Sequence, residues 1–206
     1  SLHRTADGRN WLLVASNVRG LKILDLSNPD APRVAATLNT PGNAKDVSVS
    51  ADGRYAYVAD FNMGLQIIDI STIDAPVLAG SFLRPNDGPA EKSTFMLPSE
   101  DQKLALIAWG LSAPHIKIID VSNPAAPVQL SSLPVFARVG VYGDYAVVPG
   151  STFGLLFYDL VNPVAPVERH RVRTPGAAQS VSIVGDKAYV GDQAAVVDVI
   201  DLTDGN

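Results

Sequence analysis

Nine side chains of this 206-residue sequence have the types from which a site could be built: Lys45, Asp46, Asp60, Glu91, Lys92, Trp109, Arg138, Gln179 and Asp192. Asp46, Asp60, Glu91 and Asp192 are hard oxygen donors of the kind that share a calcium ion, although calcium takes six to eight oxygens and no EF-hand-like or RTX-like spacing surrounds them. Lys45, Lys92, Arg138 and Gln179 would line the same funnel as these carboxylates, and Trp109, in Ala108 to Pro114, would either anchor a partner or pack under its own loop.

Other chemistries are poorly provided for. The chain has no Cys, which removes disulfides, thiolate metal sites and a cysteine nucleophile. His3, His115 and His170 stand far apart, with no i, i+2 or i, i+4 pairing to aim two imidazoles at one ion. No Gly-x-Ser-x-Gly elbow occurs, and Val148 to Gly154 offers two glycines without the Lys of a phosphate loop. Sixteen Lys and Arg are scattered among 21 Asp and Glu, for a net charge of −5, so no basic stripe is available and nucleic acid is not an expected partner. No apolar run approaches the roughly 20 residues of a membrane span, so membrane insertion of this segment is not expected either.

The elements that must position these residues repeat. An apolar, alternating stretch ending in Asp occurs at Leu21 to Asp25, Leu65 to Asp69, Ile116 to Asp120, Leu155 to Asp159 and Val197 to Asp201. Intervals of 44, 51, 39 and 42 residues between these aspartates are those of propeller blades. Seven residues after four of them comes a proline preceded by alanine, at Pro32, Pro76, Pro127 and Pro166. Proline cannot donate to a ladder, and Ser and Asn bond nearby backbone, so this cluster ends one strand and bends the chain.

Four short strands can be read per unit. In the second they run from Lys45 to Ser50, Arg54 to Ala59, Gly64 to Ile70 and Val77 to Leu83. Strands that are apolar at nearly every position, such as Leu104 to Ala108, suit sheets buried on both faces. The expectation is an all-β single domain over residues 1–206: a β-propeller of four-stranded antiparallel blades, about five of them present. At a mean period of 44 residues, a ring of six to eight blades would need about 260 to 350 residues. The chain is therefore expected to be part of such a ring, the other option being a five-bladed ring lacking one outer strand.

A column that is the same in every blade serves the blade. The recurring Asp is thus expected to be structural, its carboxylate accepting backbone amides of the following turn. A polar column that varies is free to make a site, and the residue ending the second strand varies most: Ser16, Asp60, Trp109, Gly150 and Asp192. Loops after this strand open on the same end as the loops between blades, which carry Lys45, Asp46, Glu91, Lys92, Arg138 and Gln179. Together they would form a mixed-charge funnel, or else ordinary solvated loops.

The stretch Leu65-Gln-Ile-Ile-Asp69-Ile-Ser71 and its copies, with the preceding Tyr55 to Asp60 strand, resembles the LVIVD-repeat proteins of bacteria and archaea over essentially the whole chain. That resemblance implies a propeller on a secreted, cell-surface or periplasmic protein, often as one module of a longer polypeptide, and no shared catalytic motif. The expected function is a non-catalytic scaffold docking a protein, a glycan or another copy of itself. The alternatives are a propeller enzyme, hydrolase or dehydrogenase, with calcium or a cofactor at the central channel, and a structural subunit of an extracellular assembly.

Overall fold

The computed structural model describes residues 1–5, 8–83, 92–93, 103–109, 115–134, 139–194 and 197–203, with only the strand backbone of 92, 93 and 109. Glu91 and Arg138 lie outside the described residues, as does the rest of the Trp109 loop, residues 110–114.

The described chain is all β, folded as five antiparallel sheets in propeller order. Blade 1 holds β1 (Leu2–Arg4), β2 (Asn10–Ala15), β3 (Leu21–Asp25) and β4 (Arg33–Leu38). Blade 2 holds β5 (Asp46–Val49), β6 (Tyr55–Ala59), β7 (Leu65–Asp69) and β8 (Val77–Phe82). Blade 3 is β9 (Lys92–Ser93), β10 (Leu104–Trp109), β11 (His115–Asp120) and β12 (Val128–Leu133). Blade 4 is β13 (Gly140–Tyr142), β14 (Tyr145–Pro149), β15 (Leu155–Asp159) and β16 (Val167–Val172). Blade 5 has three described strands, β17 (Ala178–Val184), β18 (Lys187–Asp192) and β19 (Val197–Asp201), and no outer strand pairs with β19 among the described residues. The blade 2 strands lose one residue at most of their ends relative to the sequence reading, Lys45, Ser50, Arg54, Gly64, Ile70 and Leu83 falling outside them, while the strand expected at Leu104 to Ala108 runs on to Trp109.

Each recurring Asp closes its turn in the same way. The backbone N–H two residues on donates to one carboxylate oxygen: Ser27 to Asp25 at 2.8 Å, Ser71 to Asp69 at 2.9 Å, Ser122 to Asp120 at 2.8 Å, Val161 to Asp159 at 2.9 Å and Thr203 to Asp201 at 3.0 Å. The hydroxyls of Ser27, Ser122 and Thr203 add a second bond to the same oxygen. This is a side chain capping its own turn. The alanine before each proline then donates its N–H three residues back, as Ala31 does to the Asn28 carbonyl at 3.1 Å and Ala126 to that of Asn123 at 3.0 Å. In blades 1 to 4 the outer strand is bulged against the third strand at the same place, for example between Ile67 and Ile68.

The core lies between blades. Four apolar clusters join blades 1 and 2, 2 and 3, 3 and 4, and 4 and 5. Alternation along each strand explains this: Leu65 and Ile67 face the next blade while Ile68 faces the previous one, and all three are fully buried. Sheets packed on both faces hold the loop ends of the blades in fixed relation.

Candidate functional site

Pairing register places Ser16, Asp60, Trp109, Gly150 and Asp192 in one column, each following the residue opposite Leu21, Leu65, Ile116, Leu155 and Val197 respectively. In blades 1, 2 and 4 this column starts the same tight loop. Ser16, Asp60 and Gly150 donate their N–H to the carbonyls of Gly20, Gly64 and Gly154 at 2.8, 2.7 and 2.7 Å. The next residue, Asn17, Phe61 or Ser151, is left-handed, with φ of 47°, 49° and 54°. The loop is stitched to the following blade: Asn17 and Ala44 exchange both backbone hydrogen bonds at 3.0 Å, and Ala178 donates to the Ser151 carbonyl at 3.0 Å. The loop end is a braced platform.

Two of the candidate carboxylates do this bracing. Asp60 is fully buried, and its two oxygens accept the Thr40 hydroxyl at 2.6 Å and the Gly42 N–H at 2.7 Å. Burial pushes its carboxyl above the usual range, against the pull of those two donors. A Cβ at Gly42 would sit 2.3 Å from the Asp60 carbonyl, so this approach requires glycine. In blade 5 the half-buried Asp192 accepts the Gly176 N–H at 2.7 Å on one oxygen and the Ala194 N–H at 2.7 Å on the other. Asp198, beside it, is pushed up by desolvation first and by the Asp192 carboxylate second. Both clamps join an Asp to a Thr-Pro-Gly segment, Thr40 to Gly42 and Thr174 to Gly176. That repeated tripeptide was the available signal for them.

The other described candidates form no such clamp. Lys45 is exposed, its Nζ donating to Asn17 Oδ1 at 3.0 Å and lying 5.3 Å from the centre of the Phe61 ring. Asp46 is half-buried and accepts the Val47 N–H at 2.9 Å. Gln179 is exposed at the start of β17. Lys92 and Trp109 stand at strand ends in blade 3, and Trp109 pairs across its hairpin with His115. Asn17 and Phe61 belong to this surface and escape a reading based on charge alone. Among the described residues no group of three His, Asp or Glu is arranged to hold a metal.

Depressions also lie away from this end. A cleft of about 840 Å³ at the opposite end of blades 1 and 2 is lined by His3, Arg4, Arg9, Asp52, Arg54 and Asp74, among others. Arg54 there is 3.5 Å from the turn carboxylate of Asp69. A smaller cavity of about 200 Å³ between blades 4 and 5 is walled by the mutually tilted rings of Tyr145, Phe157 and His170, with centroids 6.0 to 6.5 Å apart.

The blades also carry a family signature. The model of the LVIVD repeat matches residues 9–40, 41–84, 114–133, 137–174 and 175–204, which is most of the chain. The chain belongs to the LVIVD-repeat family. Each match contains one Asp-ending strand, so in this LVIVD chain the family repeat and the blade share one period; four matches span three or more strands of a blade, and the match at 114–133 spans the last two strands of blade 3. No curated protein matches the chain. Among solved structures it is similar to a functionally unknown protein from Desulfotomaculum acetoxidans DSM 771, with a TM-score of 0.69 and 12% identity over 97% of this chain and 68% of that one. At that identity the likeness shows the fold alone.

Proposed function

We propose that this LVIVD propeller is a non-catalytic interaction module outside the cytoplasm, on the cell surface or in the periplasm, that docks a protein on the end carrying Lys45. One observation supports this reading most strongly. The backbone of that end is stitched from blade to blade through Asn17 and Ala44, while Lys45 is held exposed between Asn17 and the Phe61 ring. A cation held in place on a rigid base loses little freedom on binding, which is how preorganised surfaces gain affinity. The partner face is acidic, with an apolar contact for Phe61.

The experiment is capture of binding proteins from the cell-envelope fraction on immobilised wild-type chain and on the Lys45→Glu variant. A protein that is retained by wild type and lost from the variant supports the proposal. Equal retention by both overturns it.

A further inference from the structure

We propose that the cleft at the proline-turn end of blades 1 and 2 binds a phosphate monoester. The cleft is bounded by two adjacent blades, lies at the opposite end from Lys45, and is independent of the docking reading above.

The turn between the first and second strands differs in length from blade to blade. Trp11, Tyr55, Tyr145 and Lys187 are equivalent, because they pair with Asp25, Asp69, Asp159 and Asp201. In blades 4 and 5 a Gly-Asp pair alone, residues 143–144 or 185–186, separates Tyr145 from Tyr142 and Lys187 from Val184. In blade 2 the turn is residues 51–54, with Ser50 donating its N–H to the Tyr55 carbonyl at 2.9 Å. In blade 1 residues 4–10 separate His3 from its partner Trp11. A blade closes with two turn residues, so the longer turn of blade 1 is not needed to build it, and additions of this kind on a rigid scaffold carry binding groups. The addition supplies Arg4 and Arg9, and both line the cleft.

The facing wall comes from blade 2. His3 stands against its turn, where a Cβ at Gly53 would lie 2.3 Å from the imidazole. Burial pushes that imidazole below its ordinary value, so at neutral pH it offers one N–H donor without a charge. Arg54 is the third guanidinium of the cleft. Its position varies across the chain, being Asn10, Lys103, Asp144 and Asp186 in the other blades, so it is not fixed by the needs of the blade. Two of the three cations rest on rings, Arg9 at 5.3 Å from the centre of Trp11 and Arg54 at 5.0 Å from that of Tyr55. Stacking of this kind reduces the freedom that binding must remove. The carboxylates of the cleft, Asp52 and Asp74, are fewer than its guanidiniums. Asp52 is also turned into its own loop, where one oxygen accepts the Ser50 hydroxyl and the Arg54 N–H.

These groups select the ligand. Guanidinium forks match carboxylate and phosphate oxygens. Three of them, from three separate segments, exceed the two oxygens of a carboxylate and suit the three terminal oxygens of a phosphate monoester. The cleft, about 840 Å³, is also larger than a phosphate ion fills, which leaves space for a small polar body beside Thr72.

The test is a heteronuclear NMR titration of the 206-residue chain at constant ionic strength, with glycerol 3-phosphate and with inorganic phosphate as probes. Glycerol 3-phosphate is expected to give saturable shifts at the amides of Arg4, Arg9, Gly53, Arg54 and Thr72, half-complete at about 1 mM or below. Inorganic phosphate should shift the same amides at least about threefold more weakly. Arg9→Gln with Arg54→Gln should weaken monoester binding more than about tenfold, while Arg169→Gln with Arg171→Gln, which removes the same charge from blade 4, should bind like wild type. No saturable shift in the cleft, phosphate bound as tightly as the monoester, or a blade 4 pair that weakens binding as much as the cleft pair would each overturn the proposal.

Discussion

Gly42 donates its backbone N–H to the Asp60 carboxylate at 2.7 Å across an 18-residue loop of sequence, and Thr40 holds the other oxygen of the same carboxylate. A residue that reads as a ligand in the sequence is thus a joint between the end of one strand and the lead-in to its blade.

Asp60→Ala would leave the Thr40 hydroxyl and the Gly42 N–H without their acceptor in a buried place, at a cost of about 2–4 kcal/mol. Asp192→Ala, at a half-buried site whose freed amides can reach water, should cost about 1 kcal/mol. Urea unfolding of the two variants should show this ranking.

Gly42→Ala should destabilise by about 1–3 kcal/mol, since its Cβ must displace either backbone or Met63. An alanine variant with the wild-type unfolding midpoint would mean the clamp is looser than the geometry shows.

Acid should act through the turns. Asp25, Asp69, Asp159 and Asp201 are held below the usual carboxylate range, chiefly by Ser27, by Ser71, by the Val161 amide and by Lys187 respectively. A lowered folded pKa stabilises the fold above the unfolded value, about 3.9 for Asp, and that stabilisation is lost as pH falls through the folded value. Asp60, shifted upward, works in the opposite sense: its contribution is full at low pH and is lost as pH rises through its folded pKa. With four turns against the raised Asp60 and Asp198, the urea midpoint should fall below about pH 4, and Asp25→Asn with Asp159→Asn should flatten part of that slope. An unchanged slope in the double variant would contradict the turn assignment.

The columns make a paired prediction. Ile67 and Val199 occupy the same register position, one fully buried and one 58% exposed. In dilute chain Ile67→Ala should cost about 2–5 kcal/mol, whereas Val199→Ala should stay within about 0.5 kcal/mol of wild type. Equal losses would mean that the blade 5 face is covered in the isolated chain.

These contrasts show what could be read from the sequence. The turn aspartates were legible because their hydrogen bonds reach only two residues along the chain, as from Ser27 to Asp25. The strands were legible because the period-2 alternation of Leu65 to Asp69 is local. The fate of Asp60 was not, since its donors lie 20 and 18 residues back, in the connection that leads into its blade, and its residue type is that of a free ligand. Exposure of Val197 and Val199 was invisible for a similar reason: burial belongs to the neighbouring blade, and the strand Val197 to Asp201 has the same pattern as its buried copies.

Lys45 should matter to recognition and hardly to folding. Its ring contact and single hydrogen bond are exposed, so Lys45→Glu is expected to unfold within about 1 kcal/mol of wild type. The most direct measurement of the docking claim is hydrogen exchange on the chain alone and bound to the envelope protein it captures. The account predicts new protection in residues 16–20, 43–46 and 60–64, around Lys45 and Phe61. Protection confined to the proline turns at the opposite end, around residues 25–32 and 69–76, would contradict it.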